Sequence, residues 1–253
     1  MIYKIDINAL RSFYEKLLES YNVVSPVEEN GVIMYKENPD FNRLPFGKFQ
    51  IESAGNYTLT EKPGKYFSYV RPYNSPKNFL RPPQEILFKV YKKEGTLYFE
   101  KEEYKKSFAF FDVRKCDLKA ISTLDDVYIN KNNHPDENYK NLRENALIIA
   151  VNCSEVSDVC FCDSMGIDLN EDYISDIVLT ELEDGFLLEV KTEKGKDILK
   201  DLKFKNATKK DLQKKEEVLM QTSKKIRKKL NTENLKEILY RKIEHPYWEE
   251  LGS

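Results

Sequence analysis

"SFAFFDV" (residues 107–113) and "ALIIAVNC" (residues 146–153) are two short, nearly continuous apolar runs, and the fold turns on how they are read. Runs of this length with no polar alternation fit strands covered on both faces, the usual state of parallel strands. Between them "CDLKAISTLDDVYI" (residues 116–129) sets Leu118, Ile121, Leu124 and Val127 at helical spacing. Strand, helix, strand is the βαβ unit, whose two strands lie parallel.

Working outward, "DIVLTELEDGFLLEVKT" (residues 176–192) reads as two strands joined at Glu183-Asp184-Gly185, because Asp-Gly between apolar runs favours a hairpin. "IDINALRSFYEKLLESY" (residues 5–21) aligns Leu10, Phe13, Leu17 and Leu18 on one helical face. Residues 22–75 mix short strand-like stretches with breaks at Pro26, Gly31, Pro39, Pro45, Gly47 and Pro63. Pro82 and Pro83 exclude a helix interior before them and suit a helix start at Gln84. Phe79, Leu80, Ile86, Leu87 and Phe88 around them are expected in the core. From about Lys196 lysines dominate. One or two surface helices are expected there, broken near Asn231-Thr232 with Thr232 as a cap. The expected fold class is α/β, a single domain with a central mixed sheet containing a βαβ unit, plus C-terminal helices. The expected division is a mixed α/β domain over residues 1–205 and a lysine-rich helical segment over residues 206–253.

The 253 residues are 40% hydrophobic and 33% charged, which suits a globular chain with a real core. The net charge of −2 gives no electrostatic reason to expect nucleic acid. The run "KKIRKK" (residues 224–229) reads as a solvated helix face, since no aromatic side chains interleave it. No run is long enough to span a bilayer, so no membrane insertion is expected. The N-terminus has no signal-type apolar core, which predicts a cytoplasmic chain.

In a reducing compartment clustered thiols point to metal or redox chemistry rather than disulfides. The four cysteines are Cys116, Cys153, Cys160 and Cys162, with spacing C-x36-C-x6-C-x-C. If the two apolar runs are parallel neighbours, Cys116 and Cys153 follow strand ends on the same sheet edge. The 36-residue gap then closes in space, and the loop returns Cys160 and Cys162. Four thiolates there suit zinc or an iron–sulfur cluster. The spacing has neither the paired knuckles of a zinc site nor the ferredoxin run, and four packed inert thiols remain the plain alternative. For Cys160 and Cys162 to share one site, "CFC" is expected extended or in a tight loop, with Phe161 turned into the core. His134 and His245 are the only histidines, and no Gly-rich phosphate loop is present, so a self-contained enzyme is not expected.

"SPKNFLRPPQEILF", "VRKCDLKAI", "LRENALIIAVNCSEVSDVCFCDSMG" and "DIVLTELEDGFLLEVKTEKG" occur in that order, and "HPYWEELGS" closes the chain. Together, from about residue 57 onward, they resemble the N-terminal domain of the family of anaerobic sulfite reductase electron-transfer subunits and sulfhydrogenase beta subunits. The family's R-x-C-D and C-x6-C-F-C motifs match Arg114, Cys116, Asp117, Cys153, Cys160, Phe161 and Cys162. The resemblance implies that the four cysteines bind an iron–sulfur cluster, one [4Fe-4S] in this segment, with zinc as the alternative and Arg114 and Asp117 beside the cofactor. Arg114 and Lys115 would then offset the cluster's negative charge. It implies an electron-transfer component of an oxidoreductase complex, not active alone. The partners would be a flavin-containing, diaphorase-like subunit together with a sulfite reductase or hydrogenase catalytic subunit. A zinc-bound docking scaffold without redox chemistry is the alternative. The family carries Gly where this chain has Asp112, so the backbone near Cys116 is expected to differ. Residues 206–253 would lead toward a ferredoxin domain that this sequence lacks.

Overall fold

In the computed structural model, which describes residues 1–61, 64–101, 106–171 and 174–252, the two apolar runs are adjacent parallel strands. The chain opens with β1 (Ile2–Ile5), α1 (Ile7–Ser20), β2 (Asn22–Glu29), β3 (Val32–Glu37), β4 (Lys48–Ser53) and β5 (Asn56–Glu61). After α2 (Lys77–Leu80) come β6 (Phe88–Lys93), β7 (Thr96–Lys101) and β8 (Phe108–Val113). The crossover is α3 (Lys115–Asp125), a π turn at Asp126–Asn130, and α4 (Glu137–Glu144), leading to β9 (Leu147–Val151). A 3-10 turn (Cys162–Met165), β10 (Ile177–Leu182), β11 (Gly185–Val190), α5 (Glu193–Ile198), β12 (Lys205–Asn206), α6 (Lys209–Lys225), α7 (Leu235–Arg241) and α8 (Tyr247–Gly252) complete it.

Among the described residues one eight-stranded mixed sheet runs β12-β1-β11-β10-β9-β8-β2-β3. Its centre, β10-β9-β8-β2, is parallel, and the pairs toward each edge are antiparallel. Of these, β8, β9 and β10 are buried throughout, as continuous apolar runs require. Ala109, Phe111, Leu147, Ile149 and Val151 face α1, where Leu10, Phe13, Tyr14 and Leu17 are fully buried. Phe108, Phe110, Ile148 and Ala150 face α3 and α4, against Leu118, Ile121, Tyr139 and Leu142. Leu18 joins the first core only partly, and Val127 is exposed where the π turn carries it away.

The hairpin of β10 and β11 turns at Glu183-Asp184, as expected. Gly185 there has φ +128°, and a Cβ would lie 2.5 Å from the Ile5 carbonyl oxygen. The expected helix at Gln84 does not form. A four-residue helix, α2, instead precedes the prolines, and the chain runs on into β6. Leu80 is buried and Phe79 partly so, but Ile86, Leu87 and Phe88 are exposed. They lead into or belong to the hairpin β6–β7, which pairs with no other strand among the described residues. Thr232 does not cap α7. Its N-cap is Asn234, in the left-handed region at φ 52° and without a side-chain cap bond, while the Thr232 carbonyl accepts from Leu235 N–H.

Candidate metal centre

The cysteine edge is built from three segments. Arg114 is the N-cap residue of α3, so Cys116 sits in the helix's first turn, where the helix dipole favours a thiolate. Cys153 follows the end of the neighbouring parallel strand β9. Cys160 and Cys162 stand on the loop that returns toward β10. A hydrogen bond to Cys162, then burial, pushes the Cys116 thiol well up, and the same contact lowers Cys162. Burial pushes Cys153 up to about 11, against the pull of the Arg114 charge, and it feels both Cys116 and Cys160. Cys160 Sγ lies 3.4 Å from both the backbone N and Oγ of Ser157. The fold therefore brings Cys153 within electrostatic reach of Cys116, although 36 residues lie between them in sequence.

"CFC" is partly as expected. Phe161 is irregular backbone, and Cys162 starts the 3-10 turn that Gly166 ends in the left-handed region. Phe161, however, does not anchor the core. Its ring is exposed, with Lys228 Nζ 5.9 Å from the centroid. The ring therefore faces a cation at the surface rather than the core.

Behind the thiols lies a buried ionic group. Arg114 and Asp112 are 1% and 0% exposed. Arg114 Nε lies 3.0 Å from Asp112 Oδ1 and Nη2 3.2 Å from Oδ2. Tyr69 Oη donates to Asp112 Oδ2, and the guanidinium stacks on the Tyr69 ring at 4.9 Å. Tyr35 Oη donates to the Asp112 carbonyl at 2.7 Å. Burial pushes the Asp112 carboxyl up, and Arg114 opposes it. Asp117, beside Cys116, is pushed up to about 6 by burial, against Arg71 and Arg114. Lys115 is buried too, with Nζ donating to the Glu171 carbonyl.

Asp112 explains how a residue other than glycine is tolerated at this position. It has φ +65°, the left-handed region glycine prefers. A register shift between Phe111 and Val113 marks a bulge there. In a regular strand those two residues would share a face, but here Phe111 and Val113 enter opposite cores. The backbone keeps a glycine-like bend, and the added carboxylate is matched by Arg114.

The lysine-rich run is not simply a solvated face. Thr222 Oγ1 donates to the Cys153 carbonyl at 2.9 Å, and Lys225 Nζ to the Ser154 carbonyl at 2.9 Å. Lys225 also pairs with Glu155, and Lys229 with Asp163, while Leu230 N–H donates to Ser164 Oγ. The end of α6 and the chain after it strap the cysteine loop to the sheet. Only the tertiary path reveals this, since the run's own pattern is that of a surface helix.

The donor set is four soft thiols with no carboxylate among them, which suits an iron–sulfur cluster or zinc. Arg114 Nη1, Asn152 Oδ1 and Ser154 Oγ are buried without hydrogen-bond partners around Cys116 and Cys153. Buried polar atoms of this kind are normally satisfied, so a polar group or water suits the space beside them. Among the described residues no three His, Cys, Asp or Glu side chains converge as a single ion requires. The ligands of a four-iron cluster stand farther apart, with sulfurs roughly 6–7 Å from one another. In donor chemistry, four thiols beside a buried arginine, the set is of the kind that holds such a cluster.

The chain is similar to a sulfhydrogenase beta subunit. Over 230 residues, 90% of its length, it is 32% identical to the sulfhydrogenase 2 subunit beta of Pyrococcus furiosus, and it spans 60% of that protein's length. No family model matches the chain, and no solved structure matches it significantly. The likeness supports the sulfhydrogenase beta-subunit side of the resemblance carried by the motifs. No helix among the described residues is long and apolar enough to cross a membrane.

Proposed function

We propose that this chain is a cytoplasmic iron–sulfur electron-transfer module of an anaerobic oxidoreductase complex, in the sulfhydrogenase beta-subunit family. Cys116, Cys153, Cys160 and Cys162 hold one [4Fe-4S] cluster. When bound, the cluster supplies one-electron transfer at a potential set by its ligands and surroundings. Arg114 and Asp117 lie beside it: the buried guanidinium sets a fixed positive charge against the thiolate set, and Asp117 adds a buried carboxyl next to Cys116, pushed up to about 6. The partners are a flavin-containing, diaphorase-like subunit together with a hydrogenase or sulfite reductase catalytic subunit. Residues 1–205 form the cluster-bearing α/β domain, and the lysine-rich segment of residues 206–253 straps its cysteine loop through α6.

The observation carrying this reading is the gathering of four thiols at the C-terminal edge of β8 and β9, with a buried arginine behind them. The likeness to a sulfhydrogenase beta subunit supports the choice of complex. Anaerobic reconstitution of the purified chain with iron and sulfide tests it. Close to four iron and four sulfide per chain are expected, with a broad visible absorbance that Cys116→Ser or Cys153→Ser removes. Zinc at one per chain, or no metal after reconstitution, overturns the reading.

A further inference from the structure

The arginine behind the thiols comes with a carboxylate of its own. Both Asp112 and Arg114 are shut away from solvent, so neither charge is much screened by water or salt. They meet along two edges, Arg114 Nε at 3.0 Å from Asp112 Oδ1 and Nη2 at 3.2 Å from Oδ2. Tyr69 Oη donates to the same carboxylate, and Tyr35 Oη to the Asp112 carbonyl. These contacts fix the carboxylate, and the carboxylate fixes the guanidinium. Only Nη1 of the guanidinium is left, buried and without a hydrogen-bond partner among the described residues.

This arrangement is costly. Asp112 holds φ +65° at the bulge that ends β8, a conformation that costs any residue but glycine. Its charge is also taken out of water, and a buried ion pair returns little net stability for that desolvation. Strain of this kind collects at functional sites, and here it stands four residues before Cys116.

Both charges reach the thiols. After burial, which dominates, the Arg114 charge pulls Cys153 down and the Asp112 charge pushes it up, with the arginine felt more strongly. An iron–sulfur cluster gains one negative charge on reduction, so a fixed cation beside it raises the potential and a fixed anion lowers it. Resting on the cluster reading above, we propose that Asp112 is a positioning residue that sets the cluster's potential through Arg114: it cancels most of the guanidinium charge and leaves only Nη1 free to donate. The pair then offers the cluster a hydrogen-bond donor with little net charge, and the potential stays lower than Arg114 alone would make it.

Redox titration of the anaerobically reconstituted chain, with the reduced cluster followed by electron paramagnetic resonance, tests this. Asp112→Asn keeps the side chain's shape and tolerates a positive φ, and it is expected to raise the midpoint potential. Asp112→Gly with Arg114→Met removes both charges together. Its midpoint is expected close to that of the unaltered chain and below that of Asp112→Asn. A purely structural role would change stability or iron content and leave the midpoint in place. An Asp112→Asn midpoint at or below the unaltered value overturns the proposal. So does a double variant well below the unaltered chain, because Arg114 would then have acted with its charge uncancelled. A chain that takes up no cluster ends the functional reading itself, whereas a cluster whose midpoint ignores Asp112 ends only this inference.

Discussion

Among single residues, Asp112 and Arg114 matter most. A buried ion pair contributes little net stability, but breaking it strands a charge and costs about 3 kcal/mol or more. Asp112→Gly keeps the φ +65° backbone without strain yet leaves Arg114 uncompensated. It is expected to lower the urea midpoint substantially, and Asp112→Gly with Arg114→Met is expected to restore most of the loss. A further prediction rests on Asp117, whose carboxyl is pushed up to about 6 by burial. Its unfolded value is near 3.9, so the folded chain binds the extra proton between roughly pH 4 and 6. Stability present below pH 4 is therefore lost as pH rises to 6, on the order of 2 kcal/mol after allowing for partial exposure. Urea titrations of the reduced, metal-free chain across that range check it. Asp117→Asn is expected to flatten the profile and to stabilise the chain above pH 6.

Among the elements, the strap decides how well the thiols are held. The loop from Ser154 to Phe161 has no regular structure of its own. Its order depends on Thr222, Lys225, Lys229 and Leu230 reaching across from α6 and the chain beyond. Thr222 is 1% exposed and also bonds the Val218 carbonyl. Replacing it with Val leaves the Cys153 carbonyl without its donor, at a cost of about 1–2 kcal/mol. Thr222→Val is expected to raise amide hydrogen exchange across residues 153–165 while β8 and β9 stay protected. Uniform exchange across both regions would mean the strap has no local role.

Across the molecule, the sheet and its two cores carry the stability, and the segment beyond the strap does not. Leu219 and Ile226 are the last buried apolar side chains along the chain, and α7 and α8 add nothing to either core. A chain ending at Asn231 is expected to melt within a few degrees of the full chain, because about 1 kcal/mol shifts the midpoint by only about 2–4 °C at this size. A chain ending at Lys205 loses α6 with its buried Leu219 and Thr222, and is expected to melt well below it. Thermal unfolding of the two truncations separates the cases.

Local pattern is enough to read the parallel pair β8–β9, the helix α1 with Leu10, Phe13 and Leu17 inward, and the hairpin at Asp184-Gly185. Each is encoded by periodicity or turn chemistry, which needs no distant partner to be read. Because parallel strands end on one edge, the same pattern also brings Cys116 toward Cys153. Other features depend on the assembled fold. Ile86, Leu87 and Phe88 are apolar enough for a core, but the hairpin they approach pairs with no other described strand, so they stay exposed. Phe161 is exposed, with Lys228, 67 residues further along the chain, over its ring. Arg114 is buried, and the end of α6 straps the loop, because their partners stand where the fold delivers them: Asp112 with Tyr69 for the arginine, and the Cys153 and Ser154 carbonyls for Thr222 and Lys225. Burial and pairing of a charge are properties of three-dimensional neighbours, and a one-dimensional pattern does not contain them.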